Sequence, residues 1–324
     1  MKAFQYDNSI TGLQFRDISV PEPGPEHVQI EVKAAGICHS DCHIVTGRSD
    51  GWLSKRPITL GHEVAGIITN IGPGISQFCL GDRVAVTQIC YPIEERDWSL
   101  SIGLGFDGGY AQYAVAPVHR LMRIPDNVSF AQAAVATDAL ASSYHAVVEA
   151  GAEQGITVGI IGLGGLGMSG LVFGALRGAK VYGIDILTDK FKEAQRLGAH
   201  GCFKSLDDAK DVSFDAVVDF VGTSSTIQSA FSAVKEGGKV VAVGLAAKAL
   251  TVPTEDLVLR SVTLVGSVGA SADDLAEVLG LLEDGSVKPL LVEVLFADIP
   301  ASIATLAEGG VNGRLWTDPS KIVN

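Results

Sequence analysis

Positive charge is scarce in this chain. Lys and Arg number 24 against 37 Asp and Glu, for a formal net charge of -13. A nucleic-acid binder sets clustered cations against phosphates, and no Lys/Arg cluster occurs here, so no nucleic-acid partner is expected. Cysteine is scarce too. The five, Cys38, Cys42, Cys79, Cys90 and Cys202, are odd in number and widely spaced, which argues against a disulfide framework. The opening MKAFQYDNSI turns polar at once, where an export signal needs an apolar run. The most apolar stretch, ITVGIIGLGGLGMSGLVFGALRGA, is interrupted by glycines spaced as in a nucleotide-binding turn, with flanks that read as strand and helix. No membrane partner is expected, and a soluble cytoplasmic protein is the stronger reading.

What is present suits an enzyme with many tight turns: 38 glycines and 47% hydrophobic residues in 324. That apolar content excludes a disordered chain, and the length accommodates two domains. The first third reads as strands. VQIEVKAAGI follows the stiff run Pro21, Pro23, Pro25, and HEVAGIITNIG, GDRVAVTQI and GGYAQYAVAPVHRLMRIP continue it with glycine boundaries. From Ser129 the texture changes. FAQAAVATDALASSYHAVVEAG is alanine-rich and helix-compatible. Apolar strands then alternate with helices: ITVGIIG, KVYGID, FDAVVDFVG, GGKVVAVG and SVTLVGSVG are the buried parallel strands of an α/β unit. ADDLAEVLGLLEDGSV is a helix with acidic residues in its first turn, as the helix dipole favours. The final segment has strand, helix and strand character and could return to pack on the first domain.

The strongest local motif is GIIGLGGLG. Gly162, Gly164 and Gly167 form G-x-G-x-x-G directly after an apolar strand, with Gly165 and Leu166 between them. Gly162 permits the tight turn, Gly164 lets the backbone approach a pyrophosphate, and Gly167 lets helix and strand pack closely. The helix N-terminus adds free N–H donors for phosphate oxygens. Asp185 ends the next strand, where a carboxylate accepts from the adenosine ribose hydroxyls and repels a 2'-phosphate. No arginine follows in ILTDK, although Lys190 is near, so NAD is favoured over NADP.

A second constellation is ICHSDCH at residues 37–43, joined by GHE at residues 61–63. Zinc favours thiolate and imidazole, with carboxylate as a further option. Cys38 and His62 lie at strand ends and could converge from neighbouring loops. Spacing alone does not say which of Cys38, Cys42, His39, His43 and His62 bind a metal.

The ordered set ICHSDCH, LGHEVAGIITNIGPG, GDRVAV, GIIGLGGLG, VYGID, AVVDFVG and GGKVVAVG resembles the medium-chain, zinc-dependent alcohol dehydrogenase family over nearly the whole chain. The resemblance implies an N-terminal strand-rich, GroES-like catalytic domain over 1–130 and 290–324, plus a doubly wound Rossmann NAD-binding domain over 131–289. It implies zinc on Cys38 and His62, with Glu63 beside the metal and in some members on it. The family's usual third ligand, a cysteine, is absent here. Asp138 stands in ATDALASSYHAV at that place, either as the third ligand or as a helix cap. The family's structural zinc sits on four close cysteines after the GDRVAV strand. Here TQICYPIEERDWSLSIGLGFDGGYAQY has only Cys90, so one catalytic zinc per chain is expected.

The resemblance further implies interconversion of a primary or secondary alcohol with its aldehyde or ketone, hydride passing to or from NAD and zinc polarising the oxygen. Ser40 would begin a proton relay that His43 carries to solvent. Asp41 would orient a ligand imidazole. His39, Val268 and Arg314 would reach the cofactor, Arg314 at its phosphates. Trp52 and Trp98 either line the substrate region or simply pack. The strand resembling SVTLVGSV pairs nucleotide domains in this family, which implies a homodimer or homotetramer. Two other functions remain: a quinone or enone reductase of the same superfamily, whose members generally lack the zinc residues, and a non-catalytic nucleotide-binding protein.

Overall fold

The structure, a computed structural model, describes residues 1–309 and 311–322. Residues 310, 323 and 324, which fall in the expected C-terminal return segment, lie outside the described residues. The chain packs into two compact units, Met1–Asp138 with Ala270–Asn324, and Ala139–Gly269.

The first unit is built around one strand, His27–Ile37, buried along most of its length. It pairs antiparallel with Glu63–Ile71, with Tyr113–Pro117 and with Arg314–Thr317 near the C-terminus. Glu63–Ile71 hands the sheet on to Arg83–Val86 and Leu121–Arg123, and Leu291–Val294 forms the other edge. Ile30, Val32, Ile37, Leu60, Val64 and Ile68 supply its core, each buried side chain stabilising by about 1.5–3 kcal/mol relative to exposure. The register sets Gly36 opposite Glu63 and Ile37 opposite Leu315. Chain positions far apart in sequence thus meet at the C-terminal end of the hub strand, where the loop containing Cys38 begins.

The second unit is a six-stranded parallel sheet in the order Gly201–Phe203, Lys180–Ile184, Thr157–Ile161, Phe214–Asp219, Val234–Ala242, Thr263–Gly266. The first strand in sequence lies inside, and later strands add on either side of it. That is the doubly wound order, and its direction reverses beside Thr157–Ile161, where the glycine loop leaves the sheet. The helix Gly165–Leu176 that follows spans roughly 18 Å, short of the ~30 Å hydrocarbon core of a bilayer. Among the described residues no helix is long and apolar enough to cross a membrane.

The alanine-rich stretch differs from the single helix its composition suggests. Phe130–Val135 is α-helical, Ala136–Leu140 is one wide π turn, and Ala141–Glu149 resumes the α-helix. Ser129 caps the start, exchanging hydrogen bonds with Gln132. A π turn takes in one extra residue and re-aims the side chains it carries. The residue at its centre is Asp138.

Candidate metal and cofactor sites

Three elements of the first unit deliver the metal-ligand candidates. Cys38 stands between the end of the hub strand and the short helix His39–Val45, and its amide donates to Asp41 Oδ2 at 2.9 Å. His62 follows Gly61, whose φ of +92° suits a residue without Cβ. Its carbonyl accepts from Gln88 Nε2 at 2.9 Å. Asp138 comes from the π turn. One ligand atom from each of Cys38, His62 and Asp138 lies within 4.8 Å of the others. The Cys38 thiol donates to Asp138 Oδ2 at 3.3 Å, and His62 Nε2 stands 3.6 Å from that same oxygen. Tetrahedral zinc with bonds of about 2.0–2.3 Å spaces its ligand atoms about 3.3–3.8 Å apart. The donors present fit such an ion in chemistry and in spacing.

Buried groups behind the donors complete the arrangement. Asp41 is fully buried, and its Oδ1 faces His62 Nδ1 at 3.6 Å; neither atom has a hydrogen-bond partner. A metal on Nε2 requires the proton on Nδ1, and the Asp41 carboxylate is the acceptor placed for it. Glu63 is outside the three-residue cluster. Its two carboxylate oxygens accept from Arg314, from Nε at 3.2 Å and in a closer bond from Nη2. Arg314 Nη2 also stands 3.5 Å from Asp138 Oδ2. For Arg314 the resemblance implied cofactor phosphates; the structure gives it carboxylate partners in the interior of the first unit, where it is 7% exposed.

Titration follows from this crowding. Burial pulls the His62 imidazole down, but the Asp41 and Asp138 carboxylates and Cys38 outweigh it, and its pKa stands well above the ordinary 6.5. Burial pushes the Asp138 carboxyl up, yet His62 and Arg314 hold it well below the ordinary 3.8. Burial raises Glu63 to about 7 against the pull of Arg314. In metal-free protein the elevated His62 and Glu63 contribute stability that is full below their ordinary values, 6.5 and 4.5, and lost as pH rises through the folded ones. Asp138 has the opposite sign, with its contribution full above 3.8 and lost only in strong acid. Chelator-treated protein is therefore expected to melt at lower temperature as pH is raised above about 6.5, while zinc affinity rises because the metal competes with the proton on Nε2. Melting curves and zinc titrations from pH 6 to about pH 9 check both signs.

The second unit presents the glycine loop. Gly162 has φ +85°, and a Cβ on Gly167 would run into the Gly162 carbonyl. A Cβ on Gly164 would meet nothing within 4 Å, so no neighbour in the chain demands glycine there. Asp185 Oδ2 accepts from Leu163 N at 2.7 Å and Oδ1 from Leu187 N at 2.9 Å, with Lys190 Nζ 3.5 Å from Oδ2. The acid thus ties its strand end to the loop. Gly165 and Leu166 open the helix, and Val268 is exposed just beyond the edge strand.

Residues 24–126 match the family described as Alcohol dehydrogenase GroES-like domain, and residues 165–284 the one described as Zinc-binding dehydrogenase. An alcohol dehydrogenase of Geobacillus stearothermophilus is 31% identical, with 97% of this chain and 98% of that protein covered. The chain belongs to the zinc-binding alcohol dehydrogenase family. An NAD-dependent alcohol dehydrogenase of Saccharolobus solfataricus is also 31% identical, covering 87% of this chain and 89% of its own. Among solved structures, the acetophenone reductase of Geotrichum candidum in complex with NAD has a TM-score of 0.90 at 32% identity, covering 99% of this chain and 98% of its own. The chain is an oxidoreductase of the alcohol dehydrogenase type, with a GroES-like unit, a Rossmann unit and a Cys-His-Asp cluster consistent with a metal site.

The remaining candidates of this alcohol dehydrogenase sit near the cluster in different degrees. Ser40 Oγ lies 3.2 Å from His62 Nε2, beside the candidate ligand nitrogen. His43 is half-buried, edge-on to His39 at 5.5 Å and to Trp52 at 6.4 Å between ring centroids. Burial and the positive neighbours His39 and Arg48 lower its pKa, which keeps it neutral. Among the described residues no direct hydrogen bond joins Ser40 to His43. His39 is exposed at the start of the short helix, its pKa lowered by the partial loss of water around its ring and by Arg314 and Arg48. Cys42 is a packed thiol, donating to the Ile303 carbonyl at 3.4 Å with its pKa pushed up to about 12 by burial.

The segment after Arg83–Val86, where the family carries its four cysteines and this chain has only Cys90, has a fastening of its own. Arg96 Nε donates to the Cys90 carbonyl at 3.0 Å, and its guanidinium lies over the Tyr91 ring at 5.1 Å and the Trp98 ring at 5.6 Å. Asp97 caps the next turn by accepting from Ser99 N at 2.9 Å. Sequence reasoning found the ligand candidates but missed the Glu63–Arg314 pair and the π turn. No local signal marks either one.

Proposed function

We propose that this protein interconverts a primary or secondary alcohol with its aldehyde or ketone using NAD, with one zinc ion per chain held by Cys38, His62 and Asp138. The observation that carries the reading is the convergence of thiol, imidazole and carboxylate with the Ser40 hydroxyl alongside. When bound, zinc supplies Lewis acidity toward the substrate oxygen. Asp41 keeps the His62 proton on Nδ1, so that Nε2 presents its lone pair. Ser40 takes or returns the substrate hydroxyl proton. His43, with its half-buried imidazole, would exchange that proton with solvent. The Glu63–Arg314 pair holds the carboxylate of Glu63 beside the cluster without adding it to the ligand set.

Gly162, Gly164, Gly165, Leu166 and Gly167 form the pyrophosphate loop, with Asp185 at the adenosine ribose and His39, Lys190 and Val268 as further cofactor contacts. Replacing Asp185 with glycine is expected to narrow the preference for NAD over NADP. It should also loosen the loop, because Leu163 N and Leu187 N lose their acceptor. Steady-state kinetics with both cofactors test the first effect, and a native protein that prefers NADP would refute the assignment. The edge strand Thr263–Gly266 fits pairing with a second copy in a homodimer or homotetramer, and cytoplasmic residence fits the chemistry.

The deciding experiment is an NAD-coupled activity screen over cyclic, aromatic, short aliphatic and polyol alcohols, together with elemental analysis. Close to one zinc per chain and turnover of an alcohol class are expected. A value near two would refute the single-zinc reading. Zinc-free protein that reduces quinones or enones would favour the reductase alternative.

A further inference from the structure

Tyr110 is completely buried in the first unit and touches the metal-ligand loops from two directions. Its hydroxyl donates to Asp41 Oδ2 at 2.7 Å. The Gly36 carbonyl is farther off, at 3.3 Å, so the single hydroxyl proton belongs to the carboxylate. Asp41 Oδ2 also receives the Cys38 amide, and Oδ1 is the atom facing His62 Nδ1. Tyr110 N donates to the Leu60 carbonyl at 2.9 Å, and its ring lies against Gly61, where an added Cβ would come within 2.5 Å of ring atom Cδ1. The hydroxyl thus reaches Asp41, which holds the Cys38 amide and faces His62, while the ring lies against Gly61, the residue before His62.

We infer that Tyr110 is a positioning residue for the metal centre, acting through Asp41: its hydroxyl fixes the carboxylate so that one oxygen holds the Cys38 backbone and the other meets the His62 imidazole. A carboxylate with two fixed donors on one oxygen cannot rotate, and its second oxygen is left for a single partner. Burial, reinforced by the adjacent Asp41 charge, raises the phenol pKa well above 10, so the group remains a donor. Without the hydroxyl, Asp41 keeps only the Cys38 amide and gains freedom to turn away from His62. Outer partners of a ligating histidine carry about a 10–100-fold effect on metal affinity, and one further step out places Tyr110 near the lower end.

The inference rests on the zinc reading above, so the test separates the two. Zinc affinity is measured by chelator competition on the full chain for the wild type, Y110F, D41A and Y110F/D41A. The visible absorption of the cobalt-substituted forms and the melting temperature of the metal-free forms are recorded alongside. The expected result is about tenfold weaker zinc in Y110F with a shifted cobalt spectrum, and no further loss when Y110F is added to D41A. The ring is retained in Y110F, and metal-free melting identifies any variant that has lost its fold; affinities are then compared among the folded ones below that temperature. Wild-type affinity and spectrum in Y110F would overturn the inference alone, as would an equal loss in the D41A background. A wild-type protein that takes up no metal would overturn the zinc reading and this inference with it.

Discussion

Asp138→Ala is expected to empty the metal site. Zinc held by a small protein site contributes about 10–16 kcal/mol, so loss of one of three protein ligands costs about 3–5 kcal/mol, or roughly 10²–10⁴ in affinity. A second effect adds to the first. Asp138 carries negative charge next to His62 and Arg314, and its removal leaves the guanidinium with Glu63 as its remaining carboxylate partner among those described. Asparagine in its place keeps the shape but not the charge and should bind zinc with intermediate strength. Cysteine restores the donor usual in the family with a different reach. Elemental analysis after dialysis, with NAD-coupled alcohol oxidation, reads the series. An alanine variant that retains stoichiometric zinc and oxidises alcohols at the unmodified rate would remove Asp138 from the ligand set.

Gly36→Ala is expected to damage the fold itself. The hub strand sets Gly36 directly opposite Glu63, and a Cβ on Gly36 would occupy the place of Glu63 Oε2. The Glu63 side chain could swing aside only by leaving Arg314. Breaking a buried ion pair in this way costs about 3–5 kcal/mol, because the guanidinium stays behind in a dry interior with only the more distant Asp138 carboxylate, 3.5 Å away. A loss of about 10 °C in melting temperature follows for a chain of this size. Gly51→Ala is the control, since a Cβ there meets nothing within 4 Å. Melting of the two variants within about 2 °C of each other would show that Glu63 relaxes without penalty.

The sequence carried the parts of the site that are local. ICHSDCH, GHE and the glycine loop are short words that stand out locally, the family resemblance then implying which of their residues bind, and strand and helix order follows from apolar runs and glycine boundaries. What it did not carry is non-local. Arg314 meets Glu63 because a C-terminal strand pairs with the hub strand, and the hub strand pairs with the one beginning at Glu63. Two successive registers decide that contact, and neither register is written near either residue. Tyr110 likewise reaches Asp41 from a distant part of the chain. The π turn was hidden for a different reason. Alanine-rich segments favour helical winding in general, so composition carries no signal for the wider turn at Asp138.

The clasp in the segment around Cys90 changes what the protein depends on in a cell. A lobe tied by four thiolates is vulnerable to oxidants and to zinc scarcity, since either event removes its fastening. Here Arg96 lies across Tyr91 and Trp98 and bonds a backbone carbonyl, and the one cysteine of the lobe, Cys90, is buried with its thiol pKa raised by that burial. None of those contacts involves a group that a peroxide or a chelator attacks readily. Metal starvation would then leave this segment folded.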